Sequence, residues 1–171
     1  MTFPLNRMQY QLGRLSEVPA FARPWYRSII LRKAVPFVGT AGIRFVDVTP
    51  DRVEVTLANE RKVQNHIRSI HASAMNLLAE TATGMVVGMN VRDDAIPLAK
   101  EFKMVFKKRA TGALRAVAVL SHAQRTAMQA SDKGDVNVSV IVTDEAGINP
   151  VECEFTWAWI PDVPRKQKET S

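Results

Sequence analysis

Apolar and polar residues alternate over two regions of the chain, and this alternation predicts a β-sheet. The predicted strands cover 42–49, 52–58, 98–108, 114–122, 136–143 and 151–160. Within the third strand, Phe102, Met104 and Phe106 face the same way. Pro50-Asp51 and Thr111-Gly112 predict turns between neighbouring strands. Six strands connected in this way predict a mostly antiparallel sheet.

Between 71 and 91 the apolar residues recur at helical spacing instead. The apolar stripe consists of Met75, Leu78, Ala79, Ala82, Met85, Val86 and Met89. This spacing predicts one long helix over 70–90. The other faces of the helix are also poor in charge, so most of its surface must be covered. We therefore expect it to pack across the concave face of the sheet, with a second subunit or the N-terminal residues covering the rest.

The residues before the first strand predict an interrupted helical leader. Four apolar residues are spaced for one short helix: Leu5, Met8, Leu12 and Leu15. After two prolines, 25–34 can form a second helix that ends before Pro36. The chain then divides into a leader over 1–36, one α+β domain over 37–161 and a basic tail over 162–171. We expect the tail to be disordered. A polar stretch around 132–134 is expected to connect two strands.

Glu80 is the only charged residue between His71 and Val91. A carboxylate is costly to remove from water. An acid retained in so apolar a helix therefore indicates proton transfer or nucleophilic attack. The alternative is a structural acid paired with an arginine across a dimer interface, such as Arg68.

Composition excludes several classes of protein. The single cysteine, Cys153, excludes an internal disulfide and fits a reducing compartment, so we expect a cytoplasmic protein. No run reaches the ~18–20 apolar residues of a membrane span, and we expect no membrane partner. The net charge of +6 alone does not indicate nucleic acid, because the aromatic and basic strand pattern of single-strand binders is absent. The three histidines lack ligand spacing, so no metal is expected.

Asn65, the His71-Ala72-Ser73 run and Glu80 have a spacing that is similar to the hotdog fold, and within it to the PaaI-type acyl-CoA thioesterases. That family has an Asn, a His-Gly-Gly six positions later at the start of the central helix, and an acid nine positions after the His. The resemblance covers roughly 36–160. The segment NHIRSIHASAMNLLAETATG also resembles an uncharacterised branch, a domain of unknown function. The resemblance implies an α+β hotdog fold, an acyl-CoA thioester as substrate with no other cofactor, and a homodimer or homotetramer.

Thioester hydrolysis needs donors for the carbonyl oxygen and an activated nucleophile. The backbone amides of Ala72 and Ser73 lie at a helix N-terminus, where N–H groups are free. Glu80 lies roughly 13 Å further along the helix, so one helix cannot present both groups to one carbonyl. The resemblance implies that the acid comes from the helix of a second subunit. Glu80 then activates water or attacks directly, and Asn65 orients the water or the carbonyl.

Several of these residues have a second interpretation. His71 is either a catalytic base or a residue that begins the helix, and Asn65 is either catalytic or a loop residue bonded to its own backbone. Ser69 is expected to cap the helix. The lysines and arginine at 107–109 contact the phosphates of coenzyme A or form a solvated face. The expected substrate contacts are Ser73, Thr83, Arg68, Lys107, Lys108 and Arg109.

The departures from the family pattern favour a second function. Ala72 and Ser73 replace the two glycines, and the Ala72 methyl lies where the thioester is expected. The alternative to an enzyme is therefore a protein that binds an acyl-CoA or an acyl carrier thioester without hydrolysing it.

Overall fold

In the computed structural model, residues 5–14 and 18–162 are described, and the strands form one six-stranded sheet. The strands are β1 (Arg44–Val48), β2 (Arg52–Leu57), β3 (Ala95–Phe106), β4 (Leu114–Val119), β5 (Gly134–Asp144) and β6 (Val151–Pro161). Their order is β1-β2-β4-β5-β6-β3, and every neighbouring pair is antiparallel. The two edge strands are therefore β1 and β3.

The long helix α4 (Ala72–Gly88) lies against one face of this sheet and contacts five of its six strands. The strand residues on that face are buried, as the alternation predicts; in β2 they are Val53, Val55 and Leu57. On the helix, Leu78 and Val86 are completely buried. Burying each such side chain stabilises the folded state by roughly 1.5–3 kcal/mol relative to leaving it exposed to water. The predicted α+β architecture with a central helix is confirmed.

The edge strand β3 carries aromatic side chains that the rest of the protomer covers only in part. Its pairing with β6 places Phe102 opposite Phe155 and Phe106 opposite Val151, so the predicted common face is confirmed. The rings of Phe102 and Phe155 stack with their centroids 5.7 Å apart. Phe102 and Phe106 nevertheless remain about half exposed, because no strand of the described chain pairs with the outer side of β3.

Three short helices precede the sheet: α1 (Arg7–Gly13), α2 (Arg23–Ala34) and α3 (Pro36–Ala41). The sequence predicts the first two, although Leu15 lies outside the described residues, as do 163–171 of the tail. The sequence analysis does not predict the third helix, because it takes Pro36 only as the residue before which the second helix ends. Pro36 instead begins α3, where its missing N–H has no helical partner to lose. α3 ends at Gly42, whose φ of 83° favours glycine.

A further helix, α5 (His122–Ala130), lies between the strand predicted to end at 122 and the polar stretch around 132–134, where the sequence analysis predicts no helix. β4 ends at Val119, before the predicted end at 122. The Gln124 amide donates to Ser121 Oγ at 3.2 Å, and the Ser121 amide donates to Gln124 Oε1 at 2.8 Å. This reciprocal capping box begins a helix strongly enough to override the weak alternation before it.

Helix α1 is attached to the C-terminal end of α4 through Asn6. The buried Asn6 Nδ2 group donates to the Gly88 carbonyl at 2.9 Å and to the Val91 carbonyl at 2.8 Å. Its Oδ1 accepts from the Gln9 amide at 2.9 Å and so caps α1. One side chain thus satisfies two buried carbonyls and begins a helix. It also holds Met8 against Gly88.

Asn6→Ala should lower the free energy of unfolding by about 1–3 kcal/mol, because it removes a helix cap and leaves two buried carbonyls without donors. Urea unfolding followed by circular dichroism measures this change. Gln11→Ala, an exposed change in the same helix, should have little effect and serves as the control. Equal stability of the two variants would contradict this role for Asn6.

Candidate active site

Glu80 lies in the middle of α4, half-buried at a cavity of about 240 Å³. Burial raises the pKa of its carboxyl above the ordinary value of 4.5, and no neighbouring charge contributes to the shift. Within the described ranges no ion pair holds this carboxylate, including one with Arg68 of the same protomer. The apolar lining of the cavity includes Met8, Val38, Leu77, Met85, Pro97 and Trp157. Such an acid is suited to proton exchange with a bound molecule.

Trp157 forms the sheet side of this cavity, and Gly84 allows its ring to approach the helix. A Cβ at Gly84 would lie only 2.6 Å from the ring. The Trp157 Nε1–H donates to Thr83 Oγ1 at 3.0 Å, and that hydroxyl donates to the Ala79 carbonyl at 3.0 Å. Thr83 is completely buried. The Thr83 hydroxyl is therefore bonded within the core of the protomer, which does not favour a contact with substrate, and that contact stays a prediction.

The N-terminus of α4 carries the other predicted groups. His71 is the N-cap residue, and its Nδ1 accepts from the Ser73 amide at 3.0 Å. The Ser73 amide is thus already engaged, although its side chain is exposed. Ala72 is the first helical residue and is also exposed, and its amide has no acceptor within the described ranges. Of the two predicted donors, the Ala72 amide is the one that remains free for a ligand.

The loop before α4 is held together by Asn65. Its Oδ1 accepts from the amides of Ile67 and Ser69, each at 3.1 Å. This geometry matches the loop interpretation of Asn65, and Arg68 completes the turn with a φ of 60°. Ser69 does not cap α4 as predicted; its hydroxyl donates to the Ala110 carbonyl at 2.9 Å. The cap is His71, two residues closer to the helix.

The basic cluster at 107–109 lies next to this loop. Arg109 donates from Nη2 to the Ile67 carbonyl at 2.8 Å, which links the end of β3 to the loop before α4. Lys107 pairs with Glu152 at 2.9 Å. Lys108 is exposed, as are Arg68 and Arg109. The Arg109 bond therefore links these expected phosphate contacts to the loop that leads into α4.

A second cavity, of about 230 Å³, lies at the start of α4 beside His71 and Ser73. Leu77 lines this cavity as well as the one at Glu80, so the two are neighbours along the helix. Helix α3 contributes Phe37 to the cavity beside His71, and α1 and α3 contribute Met8 and Val38 to the cavity at Glu80. The sequence predicts that N-terminal residues can cover part of the central helix, but it does not indicate which of them line these cavities.

In the described part of the chain, no group of three or more His, Cys, Asp or Glu residues could hold a metal ion. The lone thiol of Cys153 is partly buried, and burial raises its pKa to about 11. It is therefore protonated near neutral pH and unsuited to act as a nucleophile.

The sequence from 23 to 160 matches a family model described as a domain of unknown function, DUF4442. No curated protein matches the chain.

Solved structures with the same fold include a Pseudomonas aeruginosa protein of unknown function named as a probable thioesterase. It is 22% identical, with a TM-score of 0.72 over 78% of this chain and 93% of its own. A candidate thioesterase from Shewanella oneidensis is 14% identical, with a TM-score of 0.68 over 90% of this chain and 100% of its own. A thioesterase family protein from Silicibacter pomeroyi is 17% identical, with a TM-score of 0.62 over 78% of this chain and 96% of its own. These likenesses identify the hotdog fold.

Glu80→Gln should raise the free energy of unfolding at about pH 7, because it removes a charge from an apolar cavity without changing the shape. The raised pKa means that the folded state binds the Glu80 proton more tightly than the unfolded state. The wild type therefore gains stability as the pH falls through the folded-state pKa, and the advantage of the variant disappears at about pH 4.

Urea unfolding of both proteins across this pH range measures the difference. The exposed Glu154→Gln serves as the control and should show no comparable crossover. A loss of stability in Glu80→Gln near neutral pH would identify Glu80 as a structural acid held by an ion pair.

Proposed function

The chain belongs to the DUF4442 family and has the hotdog fold, and from that premise we propose that it hydrolyses the thioester of an acyl-CoA at a site shared between two subunits. The observation that carries this proposal is Glu80, a half-buried carboxylate at an apolar cavity, with a raised pKa and no cation beside it. Structures of the same fold that are named thioesterases support the class of reaction.

In the proposed reaction, the Glu80 carboxylate takes a proton from a water molecule as the water oxygen attacks the thioester carbonyl carbon. The Ala72 amide and the positive end of the α4 dipole stabilise the negative charge that forms on the carbonyl oxygen. The C–S bond then breaks, and the thiolate of coenzyme A receives the proton from Glu80. The products are a carboxylic acid and the free thiol. The cavity lined by Met8, Leu77 and Trp157 would hold the first part of the acyl chain.

The need for two subunits follows from the length of the helix. Ala72 and Glu80 are eight residues apart, roughly 12 Å along the axis, too far for both to act on one carbonyl. A second copy whose α4 runs in the opposite direction can bring its acid to this amide. The half-exposed Phe102 and Phe106 on edge strand β3 support such a homodimer, because a monomer would leave their rings in water.

A binding protein without hydrolysis is the second candidate, and the start of α4 favours it. His71 occupies the Ser73 amide, so Ala72 offers one donor where an oxyanion site usually has two. A thiol-release assay over a panel of acyl-CoA chain lengths separates the two functions. Release of coenzyme A during turnover supports the enzyme, whereas saturable binding without release supports the second candidate.

Two variants remove the proposed groups separately. Glu80→Gln should lower kcat/KM at least ~100-fold, because the amide cannot act as a general base. Ala72→Pro removes only the backbone donor and should lower kcat ~100-fold or more. Proline is tolerated there because Ala72 is the first helical residue and His71 has an extended ψ of 144°. Ala72→Ser retains the amide and should keep most of the activity.

Mixing the two inactive variants tests the shared site. After denaturation and refolding together, half of the dimers should contain one subunit of each kind, and each of these has one intact site. The mixture should therefore recover about a quarter of the wild-type activity. A mixture that stays inactive, although subunits carrying two different affinity tags co-purify as mixed dimers, would place both groups within one subunit and contradict the proposal.

Lys107, Lys108 and Arg109 should bind the phosphates of coenzyme A, and replacing all three with Ala should weaken its binding at low salt. These exposed contacts are screened as the Debye length falls to ~8 Å at physiological ionic strength. Titration calorimetry at low and high salt measures the effect. The control replaces the exposed Arg14, Lys33 and Lys133, which removes the same charge elsewhere on the surface. An equal loss in both triple variants would identify a general charge effect rather than a phosphate site.

A further inference from the structure

The whole net charge of the protein lies in its N-terminal segment, residues 1–46. This segment has seven Lys and Arg residues and one acid, Glu17, which gives the same +6 as the full chain. The remaining residues, 47–171, carry sixteen basic and sixteen acidic residues and are neutral overall. Five of the seven cations lie on α2 and at the start of β1, which makes this part of the surface positive: Arg23, Arg27, Arg32, Lys33 and Arg44.

The same segment exposes most of its large aromatic side chains. Phe21 is 89% exposed, Phe37 62% and Trp25 61%, and Tyr26 and Ile30 are also exposed. Helix α2 buries only Ser28 and Leu31 against the rest of the protein. Its outward surface therefore interleaves Trp, Tyr and Ile with Arg and Lys and contains no acid. Aromatic rings favour the interface between lipid headgroups and acyl chains, and cations meet lipid phosphates, so these exposed side chains suit contact with an anionic headgroup layer.

A groove of about 500 Å³ runs between α2 and β1 in this surface. Its lining includes the exposed Phe21, Trp25 and Val46, with Arg32 and Arg44 beside them. An apolar groove beside two guanidinium groups fits an amphiphile whose headgroup is anionic. The groove and the positive charge thus both favour a ligand that has an apolar part and an anionic headgroup.

A second copy of the chain does not account for this surface. Helix α2 packs on β1, and β1 and β3 are opposite edges of the sheet. A homodimer formed through β3 would leave α2 uncovered. Two surfaces rich in Arg and Lys would also repel each other.

We propose that α2 and the adjoining groove dock the protein peripherally on an anionic phospholipid membrane. No helix of the described ranges is long and apolar enough to cross a membrane. Peripheral docking does not require one, so the proposal differs from the expectation of no membrane partner, which rested on the absence of a span. It is also independent of whether the Glu80 site hydrolyses thioesters.

Sedimentation with vesicles tests the proposal. The full-length protein should pellet with vesicles that contain equal parts of phosphatidylcholine and phosphatidylglycerol, and remain in solution with phosphatidylcholine alone. Raising the salt should weaken the binding about tenfold or more. The fluorescence of Trp25 reports contact with lipid directly, because the other two tryptophans, Trp157 and Trp159, are buried. Its fluorescence should shift to shorter wavelength on binding.

Two double variants separate the contributions. Phe21→Ser with Trp25→Ser should abolish the stable binding, and Lys33→Glu with Arg44→Glu should abolish the preference for anionic lipid. The matched control, Ile141→Ser with Lys133→Glu, changes exposed residues outside the segment and should bind as the wild type does.

Absence of binding, or equal binding to both kinds of vesicle, would overturn the proposal. A change of oligomeric state in the Phe21 and Trp25 variant, measured by sedimentation velocity without lipid, would also overturn it and assign the surface to a second copy of the chain.

Discussion

The close approach of the Trp157 ring to Gly84 determines how α4 lies on the sheet. A side chain at Gly84 would collide with the ring, so only glycine allows the helix to be this close. The bond from Trp157 Nε1 to Thr83 fixes the ring in that position. Glu80 lies one helical turn before Gly84 and lines the same cavity as this ring. The contact that closes the core therefore also removes the acid from water and raises its pKa.

The parts of the fold that were predicted are those in which one residue pattern repeats. Every second residue is apolar along β5: Val136, Val138, Val140 and Val142. The apolar stripe of α4 likewise repeats over several turns. Many residues therefore indicate the same type of element in each case. The two missed helices are short and depend on single residues. Pro36 can end one helix or begin another, and only the following residues decide. The capping box of Ser121 and Gln124 involves only two residues, and the weak alternation before it predicts a strand instead.

The candidate site was predicted only in part, for a similar reason. Glu80 stood out because it is an isolated acid on an apolar helix, a property of the sequence itself. Helical register places Thr83 near Glu80, whereas its hydroxyl accepts from Trp157, far away in the chain, a partner that the register does not predict. The cavity could not be predicted at all. Its walls come from α1, α3, α4, β1, β3 and β6, and no local pattern specifies how distant elements meet.

The attachment of α1 through Asn6 has a consequence for the order in which the molecule is built. Asn6 leaves the ribosome early, yet the carbonyls that it binds belong to Gly88 and Val91, and contacts so distant in sequence form slowly. Helix α4 also lacks its contact with Trp157 until β6, a later part of the chain, has been synthesised. Met8 can line the Glu80 cavity only after both events. During synthesis the apolar wall of this cavity thus stays exposed until β6 is available, and exposed apolar surface of this kind promotes aggregation.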